Sequence, residues 1–185
     1  MTRLIGIAGS LRSGSYNAAL LRAAASLVPA GTTLEIASIR DIPLYDGDVE
    51  AQGIPPAVAQ LKDRIAASDG LLLVTPEYNN SIPGVFKNAI DWLSRPPSDV
   101  PRVFKDRPVA LMGASPGRFG TIHSQRAWLP VLRTLRTRPW FGPPLYVSNA
   151  DRVFDANGTL VDADVRERLR EFLAGFAQFV AAGCP

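Results

Sequence analysis

The chain has 185 residues, with 20 Lys and Arg against 17 Asp and Glu, a net charge of +3, one cysteine and one histidine. A single cysteine excludes an intramolecular disulfide and a cysteine-based metal site, and no apolar run approaches the ~20 residues that a membrane span requires. A chain of this length buries roughly 70% of the surface its unfolded form exposes, so a single domain over residues 1–185, without covalent staples, is expected.

The lone Cys184, next to the C-terminus, fits a reducing compartment. The basic residues are mostly arginines scattered along the chain rather than gathered in a run. Such a surface favours small anionic molecules over nucleic acid.

The first predicted strand, Leu4 to Ala8, is too short for the apolar region of a signal peptide, so a cytoplasmic location without membrane insertion is expected. It runs into Gly9-Ser10-Leu11-Arg12-Ser13-Gly14-Ser15-Tyr16-Asn17. That loop reads as a phosphate cradle: small residues allow a tight turn, Ser10, Ser13 and Ser15 offer hydroxyl donors, Arg12 offers a planar fork, and a helix N-terminus follows. An ordinary capped turn, with Asn17 as the cap, is the alternative reading. Gly9 and Gly14 have the spacing of a nucleoside-triphosphate loop, but Ser15 stands where its lysine belongs. The dinucleotide fingerprint G-x-G-x-x-G is absent from Gly6-Ile7-Ala8-Gly9-Ser10-Leu11.

A helix over Asn17 to Leu27 leads to a second strand, Leu34 to Ser38, and a helix over Pro55 to Ala67, with proline at its start where a missing N–H is harmless. Asp69-Gly70 then breaks the chain before a third strand, Leu71 to Thr75. It opens into Thr75-Pro76-Glu77-Tyr78-Asn79-Asn80. Pro76 stiffens that loop, and Tyr78 and Asn79 can set an aromatic side and backbone N–H groups against a flat heteroaromatic ring. The plainer alternative is a half-buried loop tyrosine and a turn asparagine. On the next helix, Pro83 to Leu93, Lys87 and Asp91 are spaced to pair and Trp92 suits a core or a subunit interface.

A fourth strand, Val109 to Ala114, enters Gly113-Ala114-Ser115-Pro116-Gly117-Arg118-Phe119-Gly120-Thr121. Gly113-x-Ser115-x-Gly117 matches the nucleophile elbow of serine hydrolases, but His123 follows with no acid between them to give the required order. His123 is expected in the first turn of a helix over Thr121 to Leu135, as a helix residue or ligand-edge contact. Leu145 to Val147 is the fifth strand, Asn157-Gly158 a tight turn, and Ala163 to Ala182 a helix with Val165, Leu169, Phe172, Leu173, Phe176 and Val180 on one face.

Apolar strands alternating with amphipathic helices predict an α/β three-layer sandwich, a parallel sheet with helices on both faces, and loops at the carboxyl ends of the first, third and fourth strands suggest five strands in the order 2-1-3-4-5. The ligand crevice then falls between strands one and three, placing the first two loops side by side.

Four stretches carry a family resemblance: Gly9-Ser10-Leu11-Arg12 through Asn17; Ile42-Pro43-Leu44-Tyr45; Pro76-Glu77-Tyr78-Asn79 through Pro83-Gly84 to Lys87-Asn88-Ala89-Ile90-Asp91-Trp92; and Ser115-Pro116-Gly117-x-x-Gly120. The chain resembles the flavodoxin-like NAD(P)H-dependent FMN reductases, which include quinone, azo-dye and chromate reductases. The resemblance implies that Ser10, Arg12, Ser15, Tyr16 and Asn17 surround the FMN phosphate. It places Pro76, Glu77, Tyr78 and Asn79 along the isoalloxazine ring, and Ser115, Gly117, Arg118 and Gly120 at its other edge. Many members carry paired glycines where this chain has Gly120-Thr121, and often an aromatic where it has Asn80.

The implied reaction passes hydride from NADPH or NADH through FMN to a small-molecule acceptor such as a quinone, and it requires no protein nucleophile, metal or assigned catalytic side chain. An electron carrier or a non-catalytic FMN-binding regulator would use the same shell. The resemblance also implies a homodimer or homotetramer, for which Trp128, Trp140 and Phe141 are candidate exposed contacts, with a place in the core as the alternative.

Overall fold

A computed structural model of the protein describes residues 1–183, and Cys184 lies outside them. β1 (Thr2–Ala8), β2 (Thr32–Ala37), β3 (Gly70–Val74) and β4 (Pro108–Ala114) form a parallel sheet in the order β2-β1-β3-β4. The fifth position is shared. β5 (Arg138–Pro139) pairs with the start of β4, and β6 (Leu145–Val147) pairs with its end, both parallel. The expected order 2-1-3-4-5 holds, but Leu145–Val147 fills only half of the last place. Trp140 N–H still donates to Val109 O of β4 at 2.8 Å, but residues 141–144 leave the ladder, where Pro143 and Pro144 have no N–H to donate to it.

Helices cover both faces. α1 (Tyr16–Leu27) and α8 (Ala163–Ala181) lie on one side, and α3 (Pro56–Ala66), α4 (Gly84–Leu93) and α6 (Ile122–Thr134) on the other. Three short helices were not legible as predicted elements: α2 (Gly47–Gln52), α5 (Val100–Val103) and α7 (Ala150–Val153). The strand period of two divides the core between the faces. Leu72 and Val74 of β3 pack with Leu20, Leu169, Phe172 and Phe176, while Leu71 and Leu73 pack with Ile65, Phe86, Trp92 and Trp128. A strand buried on both sides has no polar face to show, which is why Gly70 to Val74 reads as unbroken apolar sequence.

Local signals behave as their chemistry requires. Pro55 and Pro83 are the cap residues of α3 and α4. Gly70 opens β3 where an added Cβ would stand 2.8 Å from Val180 and 3.0 Å from Leu4. Lys87 donates to Asp91 at 2.7 Å, and Trp92 is buried, with its indole N–H donating to Pro43 O at 3.0 Å. Gly158 takes φ +75° in the predicted turn. Of the residues read as interface contacts or core, Trp128 is core, because α6 turns it inward against Phe86. Trp140 is half-buried and Phe141 is exposed.

Candidate active site

The carboxyl ends of β1, β3 and β4 open onto one cleft of about 280 Å³. Its wall brings together Ser10, Arg12, Ser15, Tyr16 and Asn17 of the first loop with Pro76, Glu77 and Tyr78 of the second and Ser115 of the third. Asn79, Gly117, Arg118 and Gly120 are not in that wall. The crossover of an open α/β sheet is where such loops meet.

In the first loop, Ser15 N–H closes a turn onto Arg12 O at 3.2 Å, and Ser15 Oγ caps α1 by accepting from Ala18 N–H at 3.2 Å. Ser15, not Asn17, is therefore the cap. Among the described residues the N–H groups of Tyr16 and Asn17 have no acceptor, so two donors at the positive end of a 12-residue helix are left open on residues that line the cleft. The Arg12 guanidinium stands 5.6 Å from the Tyr16 ring centroid. Hydroxyls, free N–H groups and an arginine at a helix start are the donor set a phosphomonoester requires. Gly9 answers to packing instead, since a Cβ there would fall 2.0 Å from Phe86.

Asn17 is buried and doubly bonded to the end of β4. Its Nδ2 donates to Ala114 O at 2.8 Å, and its Oδ1 accepts from Ala114 N–H at 2.9 Å. The amide thus fixes the start of α1 to the base of the third loop. Sequence reading placed Asn17 at the right loop but missed this partner.

The second loop is a two-residue hairpin. Tyr78 and Ser81 exchange backbone hydrogen bonds at 3.1 and 3.0 Å, and Asn79 and Asn80 take φ 50° and 59° between them. That is the geometry of a type I′ turn, which favours asparagine. It holds the half-exposed Tyr78 at the mouth of the cleft, with its hydroxyl 3.4 Å from Ser10 Oγ.

The third loop is tied down by its own backbone. Ser115 Oγ accepts from Gly117 N–H at 3.0 Å, and Ala150 N–H donates to Ser115 O at 3.2 Å. Ser115 has no hydrogen bond to His123 among the described residues, so no nucleophile–base pair forms there. Gly120, at φ 58°, crosses against the backbone of Tyr146 and serves that close approach. Arg118 is exposed, and the ring of exposed Phe119 stands edge-on to His123 at 5.8 Å. Thr121 is buried, and its Oγ1 accepts from Gln125 Nε2 at 3.0 Å. Sequence reading also missed Thr75, Ser124 and Glu77 as a connected group; Glu77 Oε2 accepts from the N–H groups of His123 and Ser124 at 2.8 and 3.1 Å. Only a tertiary contact could have shown it.

The fold and cleft define a flavodoxin-like α/β protein with an open cleft at its β1/β3 crossover. The sequence profile described as NADPH-dependent FMN reductase matches residues 2–151, and the chain belongs to that family. It is 47% identical over 178 residues to an NAD(P)H-dependent FMN reductase of Pseudomonas aeruginosa, covering 96% of this chain and 95% of that one. It is 38% identical over 174 residues to a 2-hydroxy-1,4-benzoquinone reductase of a Burkholderia species, covering 94% and 93%. The solved structure of FerB, a flavoenzyme NAD(P)H:(acceptor) oxidoreductase from Paracoccus denitrificans, superposes with a TM-score of 0.88 at 32% identity, covering 99% of each chain.

Proposed function

We propose that the protein is an FMN-dependent NAD(P)H oxidoreductase that reduces quinones or chemically similar acceptors. The observation that carries this is the meeting, in one cleft, of an anion-binding helix start with an aromatic hairpin. Quinone reductases among its relatives support the acceptor class. Azo dyes, free flavin and chromate are further acceptors of the same open chemistry.

Bound FMN supplies a two-electron relay between the nicotinamide and the acceptor. The chain's own residues bind and orient. Ser10, Arg12, Ser15 and the free N–H groups of Tyr16 and Asn17 receive the phosphate; Pro76 through Asn79 and the Ser115 loop border the ring. Arg118 is exposed beside the cleft as a partner for a nucleotide phosphate. No side chain is required as a nucleophile, and the work is positioning two reactants over one surface.

The test is an anaerobic visible spectrum of FMN-loaded, desalted protein before and after one equivalent of NADPH. Prompt bleaching of the flavin bands is expected. Retained flavin that does not bleach would leave a carrier or sensor, and no retained flavin would overturn the site.

The protein acts in the cytoplasm as a homodimer or homotetramer in this reading. Among the described residues no helix is long and apolar enough to cross a membrane. Phe141, 77% exposed, stands at the rim of an apolar cavity of about 230 Å³ lined by Leu129, Trp140 and Phe172, a knob beside a hollow that a second copy could match. Native mass spectrometry is expected to give a dimer or tetramer, and monomer alone at working concentration would contradict it.

A further inference from the structure

We propose that Glu77 is a positioning residue whose carboxylate, acting through the start of α6, locks the second and third loops of the cleft into one setting. The proposal rests on the flavin reading of that cleft. Its support is geometric.

The N-terminus of α6 cannot satisfy itself. Thr121 stands at the cap position but makes no capping bond with its side chain, and the first turn of α6 contains no acidic residue. Thr121 Oγ1 instead accepts from Gln125 Nε2 within the helix. A 13-residue helix therefore presents its positive end and its orphan N–H groups to whatever lies opposite. Opposite lies Glu77, whose Oε2 takes both the His123 and the Ser124 N–H. This is a helix cap supplied by another loop.

A second set of contacts runs beneath the first. Thr75 Oγ1 lies 2.8 Å from Ser124 Oγ and accepts from the Trp128 indole at 3.0 Å, and all three residues are fully buried. Gly113 lies so close that an added Cβ would stand 2.2 Å from Thr75 O and 2.3 Å from Thr121 Oγ1. The end of β3 is thus bonded to α6 at two levels, through Thr75 in the core and through Glu77 at the cleft. Pro76 and Tyr78, which flank Glu77, belong to the wall that faces Ser115. Once Glu77 holds α6, the hairpin and the Ser115 loop cannot shift independently.

The same geometry gives the carboxylate an accepting role. An oxygen that accepts two backbone N–H groups is placed by its reach, and glutamine offers an equivalent carbonyl at the same length. Aspartate keeps the charge and loses the reach by one methylene. Two substitutions therefore separate positioning from proton donation and from bare charge.

Glu77→Gln and Glu77→Asp should be compared with the unsubstituted protein by amide hydrogen exchange, without flavin, at His123 and Ser124. FMN affinity and the kcat and KM for NADPH should then be measured on loaded protein. We expect Gln to keep exchange protection at both amides near its original value, with changes in FMN affinity and kinetic constants smaller than those of Asp. Asp should lose about fivefold or more in protection at both amides and a similar factor in FMN affinity, the size of a lost helix cap. Its KM should rise more than its kcat falls. A larger loss of kcat in Gln than in Asp, with protection intact in Gln, would make Glu77 a proton donor and overturn the proposal. Full protection and affinity in Asp would also overturn it, by showing that reach is immaterial. Exchange in flavin-free protein reads the latch whether or not FMN binds, so failure of the flavin reading would be seen separately, as no flavin retained by the unsubstituted protein.

Discussion

Asn17 uses both ends of its amide on Ala114, and each partner group is buried in the end of a central strand. Asn17→Ala would leave a buried N–H and a buried C=O unmatched, each costing roughly 1–3 kcal/mol. A stability loss of about 2–4 kcal/mol is expected from urea unfolding midpoints, with FMN affinity falling alongside because the first and third loops come apart. Arg12 makes the opposite case. Its guanidinium is exposed, so Arg12→Ala should scarcely change stability but should weaken FMN binding about tenfold in dilute buffer. The difference should narrow as salt is raised from 10 mM to 1 M, when titration of flavin fluorescence is repeated across that range. The place of Arg12, Ser15 and Tyr78 in the cleft wall is legible from sequence because their loops follow strand-like runs at the sheet's carboxyl edge. Asn17 and Glu77 are legible only as polar residues in the right loops, since their partners lie 97 and 46 residues away.

At the scale of elements, the segments that carry the site follow from apolar runs and their punctuation. β3 is uniformly buried and α4 follows Pro83, and both read directly. β5 has two residues, one of them proline, and α5 and α7 have four each, too short to express any period. The connection between β3 and β4 is held by charge instead. Arg102 and then Lys62 hydrogen-bond Asp99 and hold its carboxyl at about 2, below the ordinary 3.8. Lys62 itself is buried and donates to Arg95 O at 2.6 Å, pinning α3 to the turn before α5. Since the folded value of Asp99 lies below the unfolded one, its contribution is complete above pH 4 and drains away as pH falls toward 2. A contribution on the order of 2 kcal/mol is expected, visible as a steeper acid limb in the original protein than in Asp99→Asn when unfolding midpoints are followed from pH 5 to pH 2.

For the whole molecule, the strand order converts two loops distant in sequence into neighbours, and it is this reversal between β1 and β3 that makes the cleft. The order was readable from the loops at the carboxyl ends of the first, third and fourth strands, within the alternation of strands and helices. What the alternation does not contain is the divided fifth position, because the sheet there is shaped by prolines rather than by a hydrophobic period. The division has a consequence for life at high concentration. An unbroken outer strand offers a row of free N–H and C=O groups to any other chain, the usual start of strand-to-strand aggregation. On the β4 side, Pro139, Pro143 and Pro144 interrupt that row. On the β2 side, Arg64 of α3 reaches across to donate to Ile36 O at 3.1 Å and to pair with Glu35 at 2.6 Å, placing a charged group over the open edge. Both margins of the sheet thus carry features that discourage the addition of a further strand, so that the cleft can stay open without the sheet edges inviting other copies of the chain.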